Sequence, residues 1–257
     1  MLDEVLIGAA IAFCFATVCT PVGVSGAVFL VPVQVSLLNT PSPALTPTNL
    51  LYNLIAIPGA LITFHRQGRL RGPLLRLLVL GSLPGVVVGA VIRVEWLSGP
   101  EAFYLVIAAV LTPLGAWLAF KRRPRERSRP TPPQRTIAAL ALGVGVVGGI
   151  YGIGGGSILG PLLVGLGFTV VEVAPAALAA TFLTSIAGVT TYALLSLNAS
   201  SDIAPDWLIG VSLGLGGLAG SYLGVALQSR MPEAVLRRGL GLLALALGVR
   251  YGLLGLT

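Results

Sequence analysis

The chain has 257 residues, 55% of them hydrophobic and only 10% charged, and its formal net charge is +7. An average soluble domain carries roughly 25% charged residues, so this composition excludes a soluble globular protein and predicts one embedded in a bilayer. The excess of positive charge does not point to nucleic acid, because it is confined to short loops between apolar segments.

A bilayer core takes about 20 apolar residues per helix. The first apolar run covers residues 5–38 and follows Met1-Leu2-Asp3-Glu4, which lacks the positive n-region of a secretory signal, so the run is expected to stay in the mature protein. It is interrupted by Gly23-Val-Ser-Gly-Ala27, with Pro32 beyond. Cys14 and Cys19, the only cysteines, lie five residues apart on one predicted helix and face different directions. They suggest neither a disulfide nor a metal site, and no cofactor is expected.

Predicted membrane helices follow at residues 44–64, 74–92 and 102–120. A basic, proline-rich linker occupies residues 121–135 and separates a first membrane repeat, 1–120, from a second, 136–257. The second repeat opens on an apolar run over 136–166, broken by Gly152-Ile-Gly-Gly-Gly156 with Pro161 beyond, and continues with segments at 174–197, 207–227 and 234–256. The predicted fold class is therefore all-α and polytopic. Each of its two homologous halves has a glycine-broken first segment followed by three further helices.

Three landmarks recur in the same order in both halves. The glycine breaks stand 129 residues apart, Gly81, Gly85 and Gly89 match Gly216, Gly220 and Gly224 at 135, and Pro100-Glu-Ala102 matches Pro232-Glu-Ala234 at 132. The glycine triplets have the small-residue spacing that lets membrane helices pack closely, and no ligand is assigned to them. The Pro-Glu pairs are helix starts.

Charge bias sets the expected orientation. Arg66, Arg69, Arg71 and Arg76, and then Lys121, Arg122, Arg123, Arg125, Arg127, Arg129 and Arg135, place two loops in the cytoplasm. The loop at 198–205, which carries only Asp202, is expected outside, and the loop at 228–238, with Arg230, Arg237 and Arg238, inside. This is opposite to the matching loops of the first half, so inverted repeats are expected.

Broken hydrophobic segments in corresponding positions of two halves point to a transporter's binding site. A break frees backbone N–H groups that must line a cavity or be buried in protein. A half-helix starting there turns its positive dipole end toward a small anion. The candidate substrate residues are Gly23, Ser25 and Gly26 in the first break and Gly154, Gly155, Gly156 and Ser157 in the second. Polar groups at helical spacing follow each break: Thr48, Asn49 and Asn53 in one half, Thr181, Thr184 and Ser185 in the other. Hydrogen bonding between helices is the structural alternative for these side chains, and the weaker one for the two asparagines.

No Asp, Glu, Lys, Arg or His falls in the middle of a predicted span, so neither a proton relay nor the paired acids and bases of a membrane enzyme are visible. A passive anion channel, or a transporter of another small organic anion, remains as the alternative.

The break Gly152-Ile-Gly-Gly-Gly156 with Pro161, placed early in one half of a chain of this length and segment count, resembles the TauE/SafE family. The first break departs from that pattern at Ser25 and Ala27. The resemblance covers nearly the whole chain. It implies a bacterial cytoplasmic membrane protein that exports sulfite or an organosulfonate. Its partners would be a small anionic substrate, the lipid bilayer and a coupling ion, H+ or Na+, with homodimer formation left open.

Overall fold

The computed structural model describes residues 2–70, 72–97, 99–120, 132–197, 203–228 and 233–256. Most of the basic linker, residues 121–131, together with Arg71, Asp202 and Arg230, lies outside the described residues.

The described residues form helices and no strand. The first half contains α1 (Leu2–Cys19), a 3₁₀ turn (Thr20–Val22), α2 (Ala27–Ser36), α3 (Ser42–Arg66), α4 (Pro73–Glu95) and α5 (Pro100–Phe120). The second contains α6 (Gln134–Tyr151), α7 (Gly156–Gly165), α8 (Val170–Ser196), α9 (Trp207–Leu227) and α10 (Glu233–Leu254). Each run that the sequence breaks at glycine thus becomes a long helix followed by a short one. Among the described residues, seven helices (α1, α3, α4, α5, α6, α8 and α9) are long and apolar enough to cross a membrane. The chain is an all-α polytopic membrane protein. At 10 residues each, α2 and α7 reach about 15 Å, half of a bilayer core.

The same local device ends the 3₁₀ turn that extends α1 and ends α6. Gly23 (φ 82°, ψ 21°) and Gly152 (φ 78°, ψ 20°) are both left-handed. The next residue's N–H reaches back five residues in each case, Val24 to Cys19 O and Ile153 to Gly148 O. This is a Schellman closure, which glycine adopts without the Cβ penalty.

Packing runs across the halves. The positions of Gly81, Gly85 and Gly89 on α4 face the α6 backbone at Ala138, Leu142 and Val146, while Gly216, Gly220 and Gly224 on α9 face α1 at Ala9, Phe13 and Thr17. A Cβ at Gly85, Gly89, Gly216, Gly220 or Gly224 would overlap the opposing carbonyl oxygen. The triplets therefore hold helix backbones in contact, as expected. In these pairs α4 runs parallel to α6, and α9 parallel to α1.

The central helices α3 and α8 meet with Leu50 beside Gly188, and with Phe64 clustered with Ala174 and Leu178, so they run antiparallel. The pair α5 and α10 is antiparallel too, with Ala119 facing Gly241 and Thr112 facing Gly248. Large apolar side chains such as Leu6, Leu80, Leu194, Leu215 and Leu253 are exposed on the outside of the bundle. That surface would be a liability in water and suits contact with lipid.

Candidate functional site

The two breaks touch at the centre of the bundle. The Ser25 N–H donates to Ser157 Oγ at 3.3 Å, joining the loop before α2 to the first turn of α7. A side chain at Gly160 would meet Gly23 O at 2.8 Å. Each break also lies against the opposite half's central helix. Gly23 packs on Ala174 of α8, and Gly152 packs on Thr46 of α3.

The first break departs from the second in chemistry and in backbone. Gly154 has φ +66°, and a side chain there would collide with Thr181. Its counterpart Ser25 has no positive φ. Instead the Ser25 hydroxyl donates to Asn53 Oδ1 and accepts from the Ala27 N–H at 3.2 Å, which caps the start of α2.

Around this junction the structure gathers most of the residues named from the sequence. Asn53 Nδ2 reaches Gly152 O at 3.5 Å, so its amide touches both breaks. Asn49 Nδ2 donates to Ala27 O at 3.0 Å. Ser157 Oγ lies 3.3 Å from Thr181 Oγ1 and 3.0 Å from Ile153 O. The Gly155 N–H donates to Thr184 Oγ1 at 3.3 Å. Gly26 lies against the Tyr52 hydroxyl, and Gly156 against Ala177 O and Thr181 Oγ1. Ser185 is fully buried, and its hydroxyl has no hydrogen-bond partner. Thr48 is not brought to the junction, since its hydroxyl accepts from the Asp206 N–H at 2.8 Å, beside the start of α9.

Other polar groups here were not singled out from the sequence. Gln34 on α2 is fully buried and donates from Nε2 to Asn49 Oδ1 at 3.1 Å. Because Asn49 Nδ2 is committed to a carbonyl, Asn49 must present its oxygen to Gln34, which leaves Gln34 Oε1 without a partner. The Thr46 hydroxyl donates to Ile150 O at 2.9 Å, Tyr151 OH to Val28 O at 2.7 Å, and Tyr192 OH to Gly149 O at 3.0 Å. Gln34 alone carried a sequence signal, as the one amide inside a half-helix.

The donors around the junction are largely spent on one another, the Tyr52 and Ser185 hydroxyls excepted. A ligand entering between the breaks would have to exchange bonds with Ser25, Asn53, Ser157 and Thr181. Among the described residues no group of His, Cys, Asp and Glu side chains could hold a metal ion. The chemistry on offer is that of hydroxyls, amides and two helix N-termini, which suits an anion rather than a cation.

The family model described as "Sulfite exporter TauE/SafE" matches residues 8–251. The chain belongs to the TauE/SafE family. No match was found among curated proteins or among solved structures. Membership makes this a multi-pass membrane transporter of the sulfite-exporter type, with a lipid bilayer as its surroundings and a small anion as its substrate class. In this TauE/SafE chain the match runs through both breaks, so the junction of Ser25 with Ser157 falls within the family's shared region.

Proposed function

We propose that this chain is a secondary transporter that exports a small sulfur-containing anion, such as sulfite or an organosulfonate, across the bacterial cytoplasmic membrane. In this reading the anion binds where the starts of α2 and α7 converge. It is held by the backbone around Gly23, Gly26 and Gly154 to Gly156 and by Ser25, Asn49, Asn53, Ser157, Thr181, Thr184 and Ser185. The observation that carries the proposal is the direct contact of two half-helix starts from opposite halves at Ser25 and Ser157. Two positive dipole ends and a ring of hydroxyl and amide groups are then available to one small oxyanion in a buried setting.

The halves are read as inverted repeats. In support, α3 runs antiparallel to its counterpart α8, and α5 to its counterpart α10. Alternating access would rock one repeat against the other about the junction, breaking the mutual bonds that close it.

The test is flux into proteoliposomes holding the purified protein. A transporter gives saturable sulfite uptake and counterflow, in which unlabelled sulfite on one side accelerates entry of labelled sulfite from the other. Unsaturable current without exchange would instead establish an anion channel, and no flux of sulfite, sulfate, thiosulfate or a small sulfonate would reject anion transport.

A further inference from the structure

Arg93, on the last turn of α4, is 2% exposed, and among the described residues its guanidinium is held only by neutral groups. Nη1 donates to Leu97 O, Nη2 donates to Ser42 O at 2.8 Å and to Ser42 Oγ at 2.9 Å, and the group lies 4.3 Å over the Phe103 ring. Its Nε–H has no acceptor. Two aromatic contacts connect this cation to the break. Phe103 packs edge-on against Tyr151 at 6.3 Å, and Tyr151 is the residue before Gly152.

Arg69, in the turn after α3, lies at the other end of the bundle. It donates to Val171 O at 2.8 Å and to Gln228 Oε1 at 2.8 Å, and its guanidinium lies 4.9 Å over Phe64. Its Nε–H also lacks an acceptor. Phe64 clusters with Ala174, the residue on which Gly23 packs. Arg93 thus ties down the start of α3 and Arg69 the start of α8, and each has one spare donor. Burying a cation without an anion is costly, and within a membrane protein such a group marks a functional position by default; this holds for Arg93, whereas Arg69 is half-buried in the turn after α3.

We infer that Arg93 and Arg69 are anion-attracting stations, one at each mouth of the path through the breaks, whose uncompensated charge is completed by the passing substrate. The inference rests on the anion-transport reading above. Arg93 serves the outer mouth and Arg69 the inner one, given the charge bias of the loops. A fixed positive charge in a low-dielectric vestibule raises local anion concentration, while its neutral clamp on the helix starts keeps the guanidinium in place.

Arg93→Met, Arg93→Lys and Arg69→Met would be compared with the unaltered protein in oriented proteoliposomes, using labelled sulfite as the probe. Arg93→Met should raise the half-saturating sulfite concentration about tenfold or more from the outer side only. Arg69→Met should do the same from the inner side. Arg93→Lys, which keeps charge but loses the fork, should stay within about threefold of the unaltered protein. A lowered melting temperature in both Arg93 variants with half-saturation unchanged would overturn the inference in favour of a helix clamp. If Arg93→Met does not fold, Arg69→Met decides alone, since its position is only half-buried. An unaltered protein without saturable flux overturns the transport reading and this inference with it. Normal flux with unshifted variants overturns the inference alone.

Discussion

The backbone N–H of Ser25 and the hydroxyl of Ser157, 132 positions apart in sequence, meet at 3.3 Å and join the two glycine breaks into one buried junction. The bond pairs a half-helix start in the first half of the chain with one in the second. Any ligand that uses both must open it.

Asn53 and Thr181 separate ligand binding from packing. Hydrogen bonds between membrane helices average only about 0.6 kcal/mol, whereas losing one bond to a charged ligand costs about 1.5 to 3 kcal/mol. Asn53→Ala and Thr181→Ala should therefore weaken sulfite binding roughly tenfold or more with modest loss of melting temperature, read as the sulfite concentration needed for thermal stabilisation. Affinity within about twofold, with a large drop in melting temperature, would assign both residues to packing.

The two breaks should differ in their need for glycine. Gly154→Ala forces a side chain into a left-handed position, a cost of about 1–2 kcal/mol, and presses it on Thr181. Ser25→Gly leaves the backbone acceptable but removes the hydroxyl from Asn53 and Ala27. The expected result is clear destabilisation of Gly154→Ala in a detergent melt, and a folded Ser25→Gly protein with weakened sulfite binding. A valine at Gly155 would be a poor probe of the site, since its Cβ would lie 2.6 Å from Ser82 Cβ and push on α4.

Helix contact through the glycine triplets gives a prediction with an internal control. Gly85→Leu should prevent α4 from closing on α6 and sharply reduce the yield of folded protein, because even a Cβ there overlaps Leu142 O. Gly143→Ala, on α6 with nothing within 4 Å, should be neutral or stabilise by roughly 0.5–1 kcal/mol. Equal tolerance of both would remove the packing role.

Single cysteines test the inverted arrangement, with exposed Cys14 first replaced by serine. An impermeant thiol reagent applied to intact cells should label Leu197→Cys, at the end of α8, and spare Gln67→Cys, after α3; both positions are exposed. Labelling of both from outside would contradict antiparallel, inverted halves.

The membrane setting, the helical class and the positions of the breaks were legible in the chain alone, because these depend on local chemistry. Runs of apolar residues must be helical in lipid, and Gly23 and Gly152 end helices through their own left-handed conformation. The expectation of a duplication rests on landmarks that recur in linear order. Tertiary structure decided which polar groups meet. Helical spacing put Thr48, Asn49 and Asn53 on one short stretch of α3, yet Thr48 turns to Asp206 of the α9 start, while Asn53 alone spans both breaks. Gln34, Tyr151 and Arg93 gained their roles only when residues from distant segments closed around them. The reason is physical: a helix fixes which side chains share its face, but the partner of a buried polar group is supplied by whichever neighbouring helix, often from the other half, packs against that face.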